Sequence, residues 1–279
     1  MKKQILILGA FLMPFCVYAE EAELPSCGEN CTYYIKGDTL IVEPIDTSKS
    51  AVVKGYHRDC TDSCHTDAPW YGNTAIKKVE IKEGIQSIGS NAFEDMSHVT
   101  SLSLPEGLKS IGSEAFHGMK ITSLDLPSTL TNISQWAFQG SPIMEINGIP
   151  AGVTTLNAQV FGNIQVKDFV IPANITSIAS NAFGSSKERY GKSIIENLYC
   201  EESMVSQCEA ALQWRKDNGA DVKVIPYQST SNGQVFYNNK WYDSANDILS
   251  NNYAKKRIYT VDEANKVSGR KNTFKIRYK

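Results

Sequence analysis

Four side chains that could bind a metal ion lie within nine residues of one another, in the pattern His57-x-x-Cys60-x-x-x-Cys64-His65. Two thiolates and two imidazoles form a tetrahedral donor set that zinc accepts. Haem attachment fits less well, because the cysteines are one residue too far apart for a Cys-x-x-Cys-His motif. A disulfide between the two cysteines competes with zinc for the same sulfur atoms, so the compartment of the protein decides between them.

The N-terminus has the features of a secretory signal peptide. Lys2 and Lys3 precede an apolar run from Ile5 to Val17, and Ala19 offers a small residue for cleavage. The apolar run is too short to span a bilayer as a permanent helix. We therefore expect residues 1–19 to be removed on export, and the protein to be secreted or located at the cell surface. A lipid anchor on Cys16 is the less favoured alternative, because Met13, Pro14 and Phe15 stand directly before it where lipidation sites have small residues.

The cysteines that remain after export predict disulfides, because an even number in an exported chain is typical of a disulfide framework. They are Cys27, Cys31, Cys60, Cys64, Cys200 and Cys208. The simplest connectivity joins sequence neighbours, although an exchange among the first four remains an alternative. The pairs flank the central part of the chain, as expected for caps at its two ends. A disulfide is thus preferred over zinc for the Cys60 and Cys64 pair, and no metal site is predicted.

The central part of the chain repeats every 22 or 23 residues. One column of the repeat is aromatic: Phe93, Phe116, Phe138, Phe161 and Phe183. A second column, five residues upstream, is aliphatic: Ile88, Ile111, Ile133, Leu156 and Ile178. Such a period predicts a solenoid of stacked coils rather than one globular core. Alternating aliphatic residues further upstream predict one half-buried strand in each coil, and we expect Gly89 and Gly112 to adopt backbone conformations unfavourable for other residues.

The repeat unit resembles that of a known family. The pattern Leu-x-Leu-Pro-x-x-Leu-x-x-Ile-x-x-x-Ala-Phe, present at residues 102–116 and again at 124–138, is similar to the BspA-type leucine-rich repeat. The resemblance implies a secreted bacterial surface protein that makes adhesin-like contacts with host matrix proteins or with other cells. The fold predicted is a leucine-rich repeat solenoid of five to six coils, mainly β with short turns and helices, with disulfide-flanked caps and a small β-rich C-terminal module.

Four segments follow from these patterns: a signal peptide at 1–19, an N-terminal capping region at 20–75, repeats with a C-terminal cap at 76–225, and a basic aromatic module at 226–279. The capping region contains a predicted hairpin about Gly37, and its Trp70 is expected to cover the first coil. A capping helix is predicted after Cys200. The last module is basic, with ten Lys or Arg against four Asp or Glu from Asn238 to Lys279, and contains a predicted hairpin about Asn238.

The predicted binding surface is the outward side of the repeat strands, called here the outward face. Its residues are Lys78, Glu80, Ser101, Ser103, Ser123, Asp125, Glu145, Asn147, Asp168, Val170, Asn197 and Tyr199. They are mostly small or polar, which favours a hydrated contact with a protein ligand over a small-molecule pocket. His98 and His117 follow repeat phenylalanines and are predicted to be solvated turn residues.

The sequence predicts neither an enzyme nor a cofactor site, because it contains none of the phosphate-loop, dinucleotide, nucleophile-elbow or His-Glu-x-x-His motifs. The formal net charge of −2 gives no reason to expect nucleic acid, and no membrane span is predicted. The function predicted is adhesin-like protein binding without catalysis. Two alternatives are a structural component of the cell envelope, anchored by the basic module, and a metal-binding protein using His57, Cys60, Cys64 and His65.

Overall fold

The computed structural model describes residues 24–56, 67–184, 193–230, 234–237, 240–242, 245 and 248. Two predictions fall outside these residues: the signal peptide, and the second cysteine pair, Cys60 and Cys64, with its flanking histidines. They stay predictions. Within the described part of the chain, no helix combines the length and the apolar character needed to cross a bilayer.

The N-terminal region is a small sheet that continues into the repeats. Its strands are β1 (Ser26–Gly28), β2 (Cys31–Lys36), β3 (Thr39–Pro44) and β4 (Ala51–Val53). Strands β2 and β3 pair antiparallel around Gly37, whose φ of 62° lies in the left-handed region that glycine adopts readily. The predicted hairpin is therefore confirmed. Strand β3 then pairs in parallel with the first repeat strand, so this region caps the repeats by hydrogen bonding directly to them.

Each repeat contributes two short strands, one to each of two ladders. The first ladder contains, after β3, strands β5 (Lys78–Ile81), β7 (Ser101–Ser103), β9 (Ser123–Leu124), β11 (Glu145–Ile146), β13 (Asp168–Val170) and β15 (Asn197–Glu201). Its strands are hydrogen-bonded in three separate groups, β3 to β5 to β7, β9 to β11, and β13 to β15. The second ladder contains, after β4, strands β6 (Ile85–Ile88), β8 (Ser110–Ile111), β10 (Asn132–Ile133), β12 (Thr155–Leu156) and β14 (Ser177–Ile178). Here β4, β6, β8 and β10 form one hydrogen-bonded sheet, and β12 and β14 form another. All strand pairs between repeats are parallel. The sequence predicted only the first ladder, because the strands of the second are mostly two residues long.

The phenylalanine column forms a continuous stack through the core. Ring centroids of Phe93, Phe116 and Phe138 are 5.4 Å apart at each step, with planes 8° and 14° from parallel. Trp70 lies 5.0 Å from Phe93 with its plane tilted by 11°, so the tryptophan heads the stack as predicted. Its Nε1 donates a hydrogen bond to the carbonyl oxygen of Ala92 at 2.8 Å. Each side chain in the stack is almost completely buried, so every ring contributes to hydrophobic stabilisation of the core.

Gly89 and Gly112 are needed for a different reason from the one predicted. Neither has a positive φ angle. A Cβ on Gly89 would instead lie 2.2 Å from the backbone nitrogen of Gly55, and a Cβ on Gly112 would lie 2.5 Å from that of Ser90. Glycine is therefore required where the backbones of successive coils approach each other, and the expectation of unfavourable backbone conformations is wrong.

The C-terminal end of the repeats is covered by a helix and then by three further strands. A 3₁₀ turn at Glu202–Met204 leads into helix α1 (Val205–Asp217), which confirms the predicted capping helix. Strand β16 (Lys223–Ser229) pairs in parallel with β15 and extends the first ladder. Strands β17 (Val235–Tyr237) and β18 (Lys240–Tyr242) form the predicted antiparallel hairpin. The predicted boundary between the repeats and the C-terminal module, at residues 225 and 226, lies inside β16. The four segment boundaries stay predictions.

Candidate functional site

Alternation along the first ladder produces the outward face. In each repeat strand the central aliphatic side chain points into the core, as for Val79 and Leu124, which are each 1% exposed. The residues on either side of it therefore point away from the core, because successive side chains alternate across a strand. Lys78, Ser101 and Ser123 are exposed in this way, as the sequence predicted.

Parallel pairing in register arranges the outward residues in two columns. The pairs Lys78 with Ser101, and Glu80 with Ser103, show how each residue faces its counterpart in the next coil. The first column contains Lys78, Ser101, Ser123, Glu145, Asp168 and Asn197, and the second contains Glu80, Ser103, Asp125, Asn147, Val170 and Tyr199. Stacking therefore joins residues that are far apart in sequence into one surface.

Side-chain hydrogen bonds link neighbouring coils across this face. Asn147 Nδ2 donates to Asp125 Oδ1, and Asn197 Nδ2 donates to Asp168 Oδ1 at 2.6 Å. These bonds hold amide and carboxylate groups at fixed positions, which lowers the entropy lost when a partner binds. The groups available are hydroxyls, amides and carboxylates, so the face is suited to recognition by hydrogen bonds and charge.

The charge on the outward face changes from its N-terminal end to its centre. Lys78 Nζ lies 3.3 Å from Asp38 Oδ2, and the hydrogen bond that Lys78 donates lowers the pKa of the Asp38 carboxyl. Lys82 pairs with Glu80, which raises the pKa of the Lys82 ammonium group. Positive and negative groups therefore neutralise each other at this end.

The centre of the face is acidic. Within the described part of the chain, no ion pair involves Asp125 or Glu145. Asp168 follows in the next coil, and its carboxylate accepts from the neutral amide of Asn197. Three carboxylates thus lie on successive coils and give this part of the face a negative potential, which attracts basic groups.

Val170 and Tyr199 do not belong to the exposed face. Each is only 6% exposed, in a second apolar cluster with Tyr227, Val235, Tyr242, Ala245 and Ile248. The C-terminal hairpin covers the last coils, with the rings of Tyr199 and Tyr237 5.7 Å apart. The prediction that these two residues face solvent is wrong, and the signal against it was their apolar character in otherwise polar columns.

A buried hydrogen bond fixes the cover to the repeats. The hydroxyl of Tyr227 donates to the carbonyl oxygen of Ile171 at 2.6 Å, and burial raises the pKa of Tyr227. Residues of the C-terminal segment therefore pack against the solenoid, which limits the accessible outward face to the coils between β5 and the start of β13.

The six predicted disulfide cysteines have three different outcomes. Cys27 and Cys31 form a disulfide, with their Cα atoms 5.1 Å apart, as predicted. Cys60 and Cys64, together with His57 and His65, lie outside the described residues. The structure therefore tests neither the zinc alternative nor the second disulfide.

The third pair contradicts the prediction of a disulfide. Cys200 and Cys208 are two buried thiols, one at the end of β15 and one in α1. A hydrogen bond with Cys200 and burial both raise the pKa of the Cys208 thiol. The interior between strand and helix accommodates protonated thiols, because an uncharged cysteine packs as a small apolar residue.

The two histidines of the repeats also differ from each other. His98 is exposed, as predicted, whereas His117 is only 5% exposed. The prediction for His117 is wrong because stacking places its side chain against the coil before it, next to Glu94 and Asp95. Sequence spacing alone could not reveal this contact, since it depends on the register between coils.

The stacked coils with their two parallel ladders define a leucine-rich repeat protein. Residues 67–189 match the family model for the BspA type leucine rich repeat region in six copies. This segment is therefore a BspA-type leucine-rich repeat region, which confirms the resemblance drawn from the repeat pattern. A comparison with curated protein sequences finds no match.

Solved structures of bacterial leucine-rich repeat proteins are similar to the chain. A leucine-rich repeat protein from Eubacterium ventriosum shares 20% identity, covering 64% of this chain and 44% of that protein, with a TM-score of 0.50. The pneumococcal vaccine antigen PcpA shares 16% identity over 66% of this chain and 52% of that protein, with a TM-score of 0.40. The chain spans about half the length of these two proteins, and the first similarity supports the fold alone.

Proposed function

We propose that the protein is secreted or located at the cell surface, and that its outward face binds a protein ligand in an adhesin-like contact without catalysis. The observation that carries this proposal is the rigid, exposed, polar part of the outward face, with Asp125 and Glu145 at its centre. An interface of this kind excludes little water and relies on hydrogen bonds and charge complementarity for specificity. The ligand is a protein surface rich in Lys or Arg, on host matrix or on another cell.

The similarity of the repeat region to BspA-type repeats supports this proposal at the level of the fold. Fold does not determine function, so the argument depends on the surface itself. The signal peptide predicted at residues 1–19 supports export. N-terminal sequencing of the protein released by its natural host should then begin at Glu20, and an N-terminus at Met1 would contradict export.

The test of the binding surface is a charge reversal at its centre. The double variant Asp125→Lys, Glu145→Lys should reduce capture of the partner from the natural surroundings of the protein at least tenfold, because it places like charges against a basic ligand. The matched control is Asp67→Lys, Asp221→Lys, which changes the net charge equally at exposed residues outside the outward face. Equal capture by both double variants would contradict the proposal.

Salt provides an independent measurement. Binding that depends on exposed carboxylates should weaken as ionic strength rises, because mobile ions screen charges that are more than about 10 Å apart at 0.1 M. Capture by the unmodified protein should therefore decrease with added salt, whereas the weak capture by the charge-reversed variant should increase, because salt screens its repulsion from a basic ligand. A salt-independent affinity would argue against recognition through Asp125 and Glu145.

The structural alternative, a component of the cell envelope held by the basic C-terminal segment, makes a different prediction. Removing residues 251–279 would keep every described residue of the cover over Val170 and Tyr199, since among the described residues that cover ends at Ile248. If the truncated protein is released from cells that retain the full chain, the basic segment is an anchor. Release without loss of ligand capture would assign the two roles to separate parts of the chain.

A further inference from the structure

Three ionisable side chains meet at the junction of the first two coils. The carboxylates of Glu94 and Glu114 and the imidazole of His117 each offer one ligand atom, and these atoms all lie within 4.8 Å of one another. His117 Nδ1 is 4.0 Å from Glu94 Oε1 and 3.5 Å from Asp95 Oδ1. The imidazole is 6% exposed and the Glu94 side chain 13% exposed, so the cluster is largely removed from solvent.

Backbone hydrogen bonds hold this junction in place. The amide of Phe93 donates to the carbonyl of Ala115 at 2.8 Å, and the amide of Asp95 donates to that of His117 at 2.8 Å. These bonds fix the positions before and after Glu94 against the next coil. Asn91 Nδ2 also donates to Glu94 Oε2 at 2.8 Å and orients this carboxylate. The backbone and Asn91 thus hold the possible metal-ligand atoms in place, as in a metal site supported by surrounding hydrogen bonds.

The positions of Glu94 and Glu114 in the repeat can be compared with the equivalent positions two coils further on. Glu94 follows Phe93 by one residue and Glu114 precedes Phe116 by two, and Gln139 and Gln159 occupy the same two positions around Phe138 and Phe161. Gln139 Nε2 donates to Gln159 Oε1, so two neutral amides satisfy each other there. Two carboxylates in the same arrangement repel each other, and a bound cation between them would relieve this repulsion. The fold accepts an amide pair at this position, so the carboxylates and His117 are an addition specific to the first two coils.

We propose that Glu94, Glu114 and His117 bind a divalent transition-metal ion, with Zn²⁺ as the ion to test. An imidazole nitrogen with two carboxylate oxygens suits Zn²⁺, whereas Ca²⁺ and Mg²⁺ prefer oxygen ligands alone. Zinc bonds of about 2.0–2.2 Å bring tetrahedral ligand atoms to roughly 3.4 Å from one another. Rotation of the glutamate side chains would bring the three ligand atoms from within 4.8 Å to this separation, and a water molecule would complete the tetrahedron. Bound zinc would link the first coil to the second.

This site is distinct from the His57, Cys60, Cys64 and His65 loop, which lies outside the described residues but contains side chains that also bind zinc. Residues on both sides of the loop are attached to the first coil, since Tyr56 N donates to Ser90 O at 2.8 Å and Trp70 Nε1 donates to Ala92 O. A zinc measurement must therefore separate the two groups of ligands. The double variant His57→Gln, His65→Gln removes the imidazoles of the loop and leaves the junction unchanged.

The experiment is a zinc titration of the purified full chain after treatment with a chelator, followed by calorimetry and by the thermal unfolding midpoint. One equivalent of zinc should bind and raise the midpoint, because a ligand that binds only the folded state stabilises it. Glu94→Gln, Glu114→Gln recreates the amide pair found between Gln139 and Gln159, and should weaken zinc binding at least tenfold while preserving the metal-free midpoint.

Two histidine variants complete the test. His117→Gln should also weaken zinc binding at least tenfold, since it removes the only nitrogen ligand, whereas His98→Gln changes an exposed neighbour and should leave the affinity unchanged. Variants of the loop histidines should bind zinc as the unmodified chain does. The proposal is overturned if the unmodified protein binds no zinc, if the Glu94→Gln, Glu114→Gln variant binds it equally well, or if only the loop variant loses it.

Discussion

Replacing Gly112 by alanine should destabilise the first two coils by about 2 kcal/mol, although the substitution adds a single methyl group. A Cβ at this position would lie 2.5 Å from the backbone nitrogen of Ser90 and 2.7 Å from the carbonyl carbon of Gly89. Atoms at optimal contact are about 3.5–4.0 Å apart. The two coils would therefore have to separate locally by roughly 1 Å.

The hydrogen bonds at this junction oppose such a separation. Gly112 N donates to Ile88 O at 2.8 Å, and Ile88 pairs with Ile111 in the second ladder. Overpacking of a well-packed interior costs about 1–3 kcal/mol, and a rigid backbone on both sides places this site at the upper end. Alanine also restricts the unfolded chain, which offsets about 0.4–1 kcal/mol of the cost. The net loss of stability is therefore about 2 kcal/mol.

The matched control is Gly37→Ala, which tests backbone conformation without crowding. Gly37 has a φ of 62° and no atom within 4 Å of an added Cβ. A left-handed conformation costs alanine about 1–2 kcal/mol, and the same restriction of the unfolded chain offsets part of this. Urea denaturation of both variants measures the difference. If Gly112→Ala unfolds at the same urea concentration as Gly37→Ala, close approach of the coils is not the reason for the glycine.

Later coils show that the close approach is local. Ser134, Asn157 and Ala179 follow the equivalent aliphatic residue in the third, fourth and fifth repeats. Each of them carries a Cβ, so the repeat as such does not require glycine here. Alanine at Gly112 should therefore destabilise the junction between the first two coils in particular, and hydrogen exchange of the Ile88 and Ile111 amides should accelerate more than exchange in the third coil.

Three further measurements test other contacts. Tyr227→Phe leaves a buried carbonyl oxygen without its donor and should lower the free energy of unfolding by about 1–3 kcal/mol in urea denaturation, whereas an unchanged value would mean that water replaces the hydroxyl. Trp70→Phe should cost a similar amount, because it preserves the aromatic stack but removes the hydrogen bond to Ala92. Hydrogen bonds from Ser48 hold the pKa of Asp46 at about 2, below its usual value, so this carboxylate stabilises the fold above about pH 4 and loses that contribution as the pH falls through 2. Titration by NMR should show the pKa of Asp46 rise towards about 4 in Ser48→Ala, and no shift would refute this cause.

The sequence determined the architecture of the repeats. A period of 22 or 23 residues, with Phe and Ile at fixed positions, can bury its apolar side chains only if equivalent residues of successive coils stack on one another. Local patterns were sufficient for the hairpin about Gly37 and for helix α1, because turn residues and helical spacing act over a few neighbouring residues. The position of Trp70 at the end of the stack also followed from its place just before the first repeat.

The tertiary structure decided which of the predicted outward residues face solvent and which groups meet between coils. Val170 and Tyr199 are buried because a segment that follows them in sequence, from Tyr227 to Ile248, folds over them, as the Tyr227 to Ile171 hydrogen bond across 56 residues shows. His117 meets Glu94 because coils pair with a particular register and spacing. Sequence patterns report preferences over short stretches, whereas these contacts depend on distances between backbones that only the packed coils establish.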